Sequence, residues 1–499
     1  MKFDISCFTA KIIYEGTAAD TKIETVRRGS ELDLYISAIE DKPESVELHW
    51  QADSRENILV LGDAWERSYG NLEFKKLSEN SRPMPWYFIA TDKETCFCFG
   101  VKTQPNSFVS FRYDTKGITA FVDCRNGGNG VHLGGRKLLL CTFLFSIYKN
   151  GDVFENLKDF CKKMCDTPLL PKERIYGGNN WYYAYGKSNY KQIVSDAKLQ
   201  TLLADGIENK PFQVVDDCWQ PKKCCGPWIP NRKFKDMEKL ATEIKNLGVR
   251  PGIWVRFLHN RDKQLTKDMR ILKKGKRQYL DPTHPQVQAY IRADIERIRN
   301  WGYELIKHDF STFDMFGSFG RELGDTITNI DNWHFYDKSK TNAEIVLDFY
   351  RLILDTAGDM LIIGCNTISH LSAGLVHISR IGDDTSGREW ERTRDMGVNT
   401  LAFRLAQNET FYMCDADCVG IIKDKIPWEK NSQWLHLLSH SNTPLFISCT
   451  DEIDDIQRED LRKAYKIFNE PHSFRPLDIY NTRTPETWLI DGEEIKYNW

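Results

Sequence analysis

Residues 212–257 read FQVVDDCWQPKKCCGPWIPNRKFKDMEKLATEIKNLGVRPGIWVRF. Two short apolar runs, 212–215 and 252–257, flank a helical stretch over 236–247. A strand needs four to eight residues and a helix ten or more, so the segment is a strand–helix–strand unit. The same rhythm holds on both sides of it. Strands are expected over 175–181, 212–215, 252–257, 305–308, 360–365, 376–381, 410–414 and 444–448. Helices are expected over 236–247, 285–301, 343–356 and 389–405. Eight βα units in succession predict a parallel sheet closed into a (β/α)8 barrel.

Upstream the rhythm differs. Short β-rich runs at 45–50, 57–61, 95–101 and 138–147 are separated by turn signals such as Lys42-Pro43 and Asn126-Gly127-Gly128. This predicts a β-sandwich over 1–168, the barrel over 169–470 and a short C-terminal β element over 471–499. That last element includes a strand over 487–490 and follows a helix near 457–468. The glycine-rich stretch 126–136 does not spell GxGxxG and precedes no helix, so it reads as a hairpin or rim loop rather than a phosphate cradle.

A chain of 499 residues buries a full core without metals or disulfides as staples. Its 68 Lys and Arg against 71 Asp and Glu create no polyanion-seeking field, which argues against nucleic acid and acidic membranes as partners. No run reaches the ~18 apolar residues of a membrane span, and the first ten residues lack the pattern of a secretory signal. The 14 cysteines include the CxxxC pairs Cys161/Cys165 and Cys414/Cys418 but no zinc framework. They read as reduced thiols of a cytoplasmic enzyme, with no metal and no cofactor. The 14 Trp, 20 Tyr and 27 Phe suit a large core and equally suit stacking on sugars.

Catalytic groups of such a barrel lie where strands run into the following loops. Those ends carry Asn180-Trp181, Asp216-Asp217-Cys218-Trp219, Trp254 with Arg256, Lys307-His308-Asp309, Cys365-Asn366, Arg380 to Asp384, and Asp415 with Asp417. One Asp at a strand end is commonly a helix cap. Asp216-Asp217, Asp309 and Asp383-Asp384 together, with tryptophans beside them, suit a glycosidase, which works with one ionised and one protonated carboxyl.

Several of these segments resemble the melibiase clan, the α-galactosidases of glycoside hydrolase families 27 and 36. VVDDCWQ (214–220), LIKHDF (305–310) and IGDDTS (381–386) are similar to its strand-two, nucleophile and acid/base segments. Gly177 to Trp181 is similar to its opening Gly-Trp-Asn-Ser-Trp, and Pro251 to Trp254 to its third-strand motif. The match spans about 175–450 in the right order, and a β-sandwich ahead of the barrel resembles family 36.

The resemblance implies a retaining exo-glycosidase that releases terminal α-linked galactose through a covalent glycosyl-enzyme. Asp309 would be the nucleophile, kept ionised by Lys307. Asp383 would be the general acid and then base, its proton favoured by the charge on Asp309, with Asp384 in reserve. Asp216 and Asp217 would bind the hydroxyls on carbons four and six, Trp181 would stack on the sugar, Trp219 and Trp254 would shape the wall, and Arg380 would reach the hydroxyl on carbon two.

The departures are His308, where the families carry Trp or Phe, Gly178, and Cys365-Asn366-Thr367 in place of Cys-Ser-Gly. Arg380 also stands three residues before Asp383, where family 27 has four. The Cys365 segment borders carbon two, so α-N-acetylgalactosaminidase activity is an alternative, as are raffinose-synthase-like galactosyl transfer and a silent galactose-binding protein. The expected partner is an oligosaccharide or glycoconjugate, and a homo-oligomer is compatible with the sequence. His284, His334 and His377 read as ordinary polar residues, and 272–277 as a solvated turn.

Overall fold

The computed structural model describes residues 3–52, 57–78, 82–149 and 151–499. Two antiparallel sheets form the N-terminal part. One has five strands, in the order Thr9–Glu15, Lys42–Trp50, Gly117–Asp123, Phe108–Asp114 and Met84–Pro85. The other has seven, in the order Lys22–Arg28, Glu31–Ser37, Leu138–Lys149, Thr95–Val101, Tyr87–Thr91, Leu59–Gly62 and Lys75–Lys76. Along Lys42–Trp50 the side chains of Val46, Leu48 and Trp50 are fully buried, with the residues between them only partly covered. This period-two pattern places one face inward. Trp50 meets Phe99 and Phe143 of the opposite sheet edge-on at centroid distances of 5.2 and 5.4 Å. Aromatic pairs of this kind are worth about 0.5–1.5 kcal/mol beyond the area they bury.

Eight parallel strands, numbered β1–β8, follow in chain order: β1 Tyr176–Asn179, β2 Phe212–Val215, β3 Arg250–Val255, β4 Leu305–His308, β5 Leu361–Gly364, β6 Ile378–Arg380, β7 in two halves (Met413–Asp415 and Cys418–Gly420) and β8 Leu445–Ser448. The first half of β7 pairs with β6 and the second with β8. The two ends of the sheet order are therefore halves of one strand, and the sheet closes on itself. The break falls at Ala416-Asp417, where Asp417 takes a left-handed φ of 77°. Helices Tyr190–Leu203, Met237–Asn246, Pro285–Asn300, Asn342–Ala357, Trp428–His440 and Asp455–Phe468 surround the barrel. The stretch 390–407 is helical but contains one wide turn, Arg394–Asn399. Phe474–Pro476, Thr487–Ile490 and Glu493–Lys496 form a final three-stranded sheet.

Between β5 and β6 the only helix among the described residues is the single turn Ser369–Ser372. The sandwich covers the gap. The Trp86 indole stacks on His370 at 5.2 Å and 8°, His370 Nε2 donates to the Val101 carbonyl at 2.7 Å, and Gln104 Nε2 donates to the Ala373 carbonyl at 2.9 Å. The glycine-rich stretch 126–136 docks the sandwich to the loop after β4. Gly128 N–H donates to the Trp333 carbonyl at 2.9 Å, and a Cβ on Gly128 would lie 2.0 Å from the Ile330 carbonyl oxygen, so only glycine fits. No helix among the described residues is long and apolar enough to cross a membrane.

His308 turns outward, as strand alternation requires of a residue between Lys307 and Asp309. Its ring is buried against Phe349 and Tyr350 of helix Asn342–Ala357. Burial pushes its pKa from 6.5 down to about 3. Within that window the unfolded chain binds a proton that the folded one refuses, so stability is lost as pH falls from 6.5 toward 3. His308→Phe is expected to remove this penalty. Urea denaturation should show the variant gaining about 2 kcal/mol on wild type at about pH 5, with that gain absent at about pH 7.5.

Candidate active site

The C-terminal ends of β1, β2 and β4 are tied together by one buried ion pair. Lys307 Nζ lies 2.8 Å from Asp216 Oδ2, and both side chains are nearly closed off from solvent. Burial opposes the lysine's charge, but Asp216 outweighs it and holds the ammonium well above its ordinary pKa. Asn179 Nδ2 donates to the same Oδ2 at 2.9 Å, Asp217 N–H donates to Oδ1 at 2.8 Å, and Asp216 N–H donates to Asn180 Oδ1 at 2.7 Å. Among the described residues the ammonium's ion-pair partner is Asp216 rather than Asp309. Lys307→Met would leave the Asp216 charge buried without its cation. The expected loss is about 3–5 kcal/mol in chemical denaturation, partly recovered in Lys307→Met/Asp216→Asn.

Asp217 is held by the loop after β2. Its Oδ1 accepts from Cys218 N–H at 2.7 Å, Gln220 Nε2 at 2.6 Å and Cys224 N–H at 2.9 Å, and its Oδ2 accepts from the Cys224 thiol at 2.9 Å. Both carboxylates of the pair are thus fixed in orientation by the protein itself.

Asp309 follows β4 and is half-buried. Trp254, beside Lys307 in register on β3, donates its indole N–H to Asp309 Oδ2 at 3.2 Å. The adjacent Phe310 N–H donates to Oδ1 at 2.7 Å, with Phe310 in a left-handed turn at φ 61°. Two neutral donors therefore orient the carboxylate.

Asp383 and Asp384 follow β6. Asp383 has an arginine on each oxygen: Arg67 Nη2 at 2.9 Å from Oδ1 and Arg392 Nη2 at 2.8 Å from Oδ2. Arg67 comes from the sandwich, whose loop binds this segment through Ser68 N–H to the Ile381 carbonyl and Asp383 N–H to the Ser68 carbonyl. Asp384 Oδ1 lies 3.2 Å from Arg380 Nη2 and 4.0 Å from Arg67 Nη1. Burial pushes its carboxyl up, but Arg380, Arg67 and Lys307 prevail and hold it below the usual carboxylate range. Arg380 also binds Asp417 Oδ2 at 2.9 Å, and its Nη1 lies 3.9 Å from Cys365 Sγ. Asp417 further accepts from Thr385 N–H at 2.8 Å and from the Tyr182 hydroxyl, and its own N–H donates to Asp415 Oδ1. These side-chain bonds all fall on Oδ2, so Asp417 is anchored through one of its oxygens.

Trp181 after β1 is half-buried, its ring 5.3 Å from that of Tyr185. Trp219 corrects its sequence reading. It is fully buried against Trp228 and Trp301 and donates to the Trp254 carbonyl at 2.8 Å. It buttresses β3 from behind and has no surface with which to form a wall.

Arg67, Arg392 and Glu66 are the polar groups the sequence did not bring forward. Glu66 is fully buried between sandwich and barrel. Its oxygens accept from the Tyr69 hydroxyl at 2.5 Å, Gly320 N–H at 2.8 Å and Asn366 Nδ2 at 2.6 Å, and burial pushes its carboxyl up. The only trace in the sequence is the charged pair Glu66-Arg67 between Trp65 and Tyr69, directly after a β run.

No family model matches the chain, and no curated protein matches it. Solved structures do. The α-galactosidase of Thermus thermophilus in complex with p-nitrophenyl α-D-galactopyranoside superposes with a TM-score of 0.64 at 13% identity, over 95% of this chain and 99% of that one. A GH36 α-galactosidase of Geobacillus stearothermophilus in complex with raffinose gives 0.65 at 12% identity, over 97% of this chain and 73% of the other. The α-galactosidase of Lactobacillus brevis gives 0.60 at 12% identity, over 93% and 70%. At such identities the likeness is one of architecture: the chain has the β-sandwich and (β/α)8 barrel of the GH36 α-galactosidases.

Proposed function

We propose that the protein is a retaining exo-α-galactosidase acting on oligosaccharides or glycoconjugates. The observation that supports this reading is that two differently equipped carboxylates follow β4 and β6, at the C-terminal ends of strands of one barrel. Asp309 is oriented by the Trp254 indole and the Phe310 amide, and Asp383 is clamped by Arg67 and Arg392. Beside them stands the rigid Lys307–Asp216–Asn179 cluster. The solved structures of like fold include complexes with α-galactosides, which supports the substrate class.

In this reading Asp309 attacks the anomeric carbon, and Asp383 protonates the departing glycosidic oxygen. Asp383 then takes a proton from the water that opens the covalent intermediate. Both carboxyls stand beside arginines, Asp383 between Arg67 and Arg392 and Asp384 beside Arg380, so the assignment of the proton donor to Asp383 rests on the resemblance of the 381–386 segment. Asp216, Asp217 and Lys307 would bind the galactose hydroxyls. Their orientations are set before the sugar arrives, so a sugar of the wrong configuration leaves buried polar groups unmatched. Cys365, Asn366 and Thr367 are buried side chains where the resembling family has small residues near carbon two. They favour an unsubstituted hydroxyl there over an N-acetyl group.

The test is a panel of p-nitrophenyl α-galactoside, α-N-acetylgalactosaminide, α-glucoside and β-galactoside, with the anomer of the first-formed product read by NMR. Hydrolysis of the α-galactoside with release of α-galactose is expected. Inertness toward all four would overturn the reading, and a β-anomer would overturn retention.

A further inference from the structure

Between the sandwich loop that carries Arg67 and the loop after β4 lies a cavity of about 210 Å3. Three arginines line it, Arg67, Arg82 and Arg321, together with Ser68, Tyr69 and Asn71. Among the described residues no carboxylate does. Among the described residues Arg82 donates to backbone carbonyls alone, those of Gly62 at 2.7 Å, Asp63 at 3.1 Å and Pro83 at 3.3 Å. Arg321 is exposed and lies over the Tyr69 ring at 5.3 Å, with no ion pair among the described residues.

Arg67 is paired with Asp383, and the other acids near the cavity are held by their own partners. Glu66 is held by Tyr69, Gly320 and Asn366, Asp63 by Arg404 and Gln407, Glu73 by Lys75, and Glu322 by the Phe319 amide. Burial lowers the pKa of the Arg82 guanidinium, with Asp63 and Glu73 only partly opposing it, and an anion entering the cavity would offset that cost further. Arg67 connects the cavity to the reaction centre, because the same guanidinium lies 2.9 Å from Asp383 Oδ1. On the proposed mechanism Asp383 protonates the glycosidic oxygen and so faces the leaving sugar, and sharing Arg67 with Asp383 puts the cavity toward that side.

We propose that this cavity receives an anionic group, a carboxylate, sulfate or phosphate, borne by the leaving sugar of the substrate. The assignment rests on the α-galactosidase reading. The protein would then prefer charged α-galactosides over neutral ones, and Arg321 and Arg82 would set that preference without acting on the bond that breaks.

The experiment compares kcat/KM for an α-galactosyl disaccharide with a neutral leaving sugar against the same disaccharide with its leaving sugar sulfated or oxidised to the uronate. Wild type should favour the charged substrates by about tenfold or more, the size of one charge-assisted hydrogen bond. Arg321→Gln should remove most of that preference while p-nitrophenyl α-galactoside is hydrolysed as before. Arg82→Gln is the second variant, since the exposed Arg321 can be changed without disturbing a buried backbone network. Inorganic sulfate should compete with the charged disaccharide and leave the aryl galactoside unaffected.

Equal rates on charged and neutral disaccharides, unmoved by Arg321→Gln, would overturn the proposal. Sulfate altering all substrates alike would also overturn it, marking a free-anion effector. If wild type cleaves no α-galactoside, the functional reading fails. Sulfate titration by calorimetry then decides the cavity alone: binding lost in Arg321→Gln supports an anion site, and no binding overturns it.

Discussion

Asp309→Asn should lower kcat on p-nitrophenyl α-galactoside by three or more orders of magnitude while galactose still binds. The substitution is nearly isosteric, and the Trp254 indole and Phe310 amide that orient the side chain come from β3 and the chain itself. The pocket therefore keeps its shape and loses only the charge that, on the proposed mechanism, attacks the anomeric carbon. Removing a group that acts only in the transition state lowers kcat and kcat/KM together and leaves ground-state affinity in place. A binding protein would be indifferent to the change, which makes this variant the sharpest division between an enzyme and a silent relative. Asp309→Gly adds a chemical signature, since azide can then occupy the vacated space and attack from the same side. The product of that rescue should be β-galactosyl azide, inverted with respect to the substrate. Galactose binding without any loss of rate, or rescue giving the α-azide, would remove Asp309 from the nucleophile's role.

The barrel strands were legible because each is a short apolar run that stops at a polar residue, and closure of eight such runs leaves few alternatives. β7 was read over 410–414, yet its halves are Met413–Asp415 and Cys418–Gly420, because nothing in the run marks where pairing must switch from β6 to β8. The short excursion between β5 and β6 was equally hidden, since what covers that flank is Trp86 of the sandwich rather than a helix of the barrel. Edge strands Thr9–Glu15 and Lys22–Arg28 escaped for a different reason. Both are largely exposed, so no alternation of buried residues announces them. Strand ends singled out Asp216, Asp217, Lys307, Asp309 and Asp383 by position, and the structure sets them at the C-terminal ends of β2, β4 and β6. Trp219 was misjudged because residue type cannot say whether an indole faces the cavity or the layer behind it. Arg67 was missed because its place beside Asp383 depends on docking two parts of the chain that are remote in sequence.

Asp383→Asn is the second decisive variant, and its effect should grow with the basicity of the leaving group. A neutral amide cannot protonate a departing sugar oxygen, so hydrolysis of an α-galactosyl disaccharide should fall by about 10²–10⁴-fold. A dinitrophenyl galactoside needs no proton to leave, so formation of its covalent intermediate should be nearly unimpaired. Breakdown of that intermediate, which needs the general base, should then limit turnover and produce a burst of dinitrophenol. Azide needs no base, and it should restore turnover with α-galactosyl azide as product, the anomer opposite to that from Asp309→Gly. Asp384→Asn is the control with a different prediction. Asp384 faces Arg380, which is otherwise balanced by Asp417. Its neutralisation disturbs the pocket's charge without removing a proton donor, so its cost should be the same for good and poor leaving groups and should not respond to azide. A leaving-group dependence and azide response appearing in Asp384→Asn instead of Asp383→Asn would exchange the two residues. The two arginines on Asp383 would then be a support for the loop, and the proton donor would be the carboxyl that Arg380 and Arg67 hold ionised in the free enzyme, requiring the arriving sugar to displace them first.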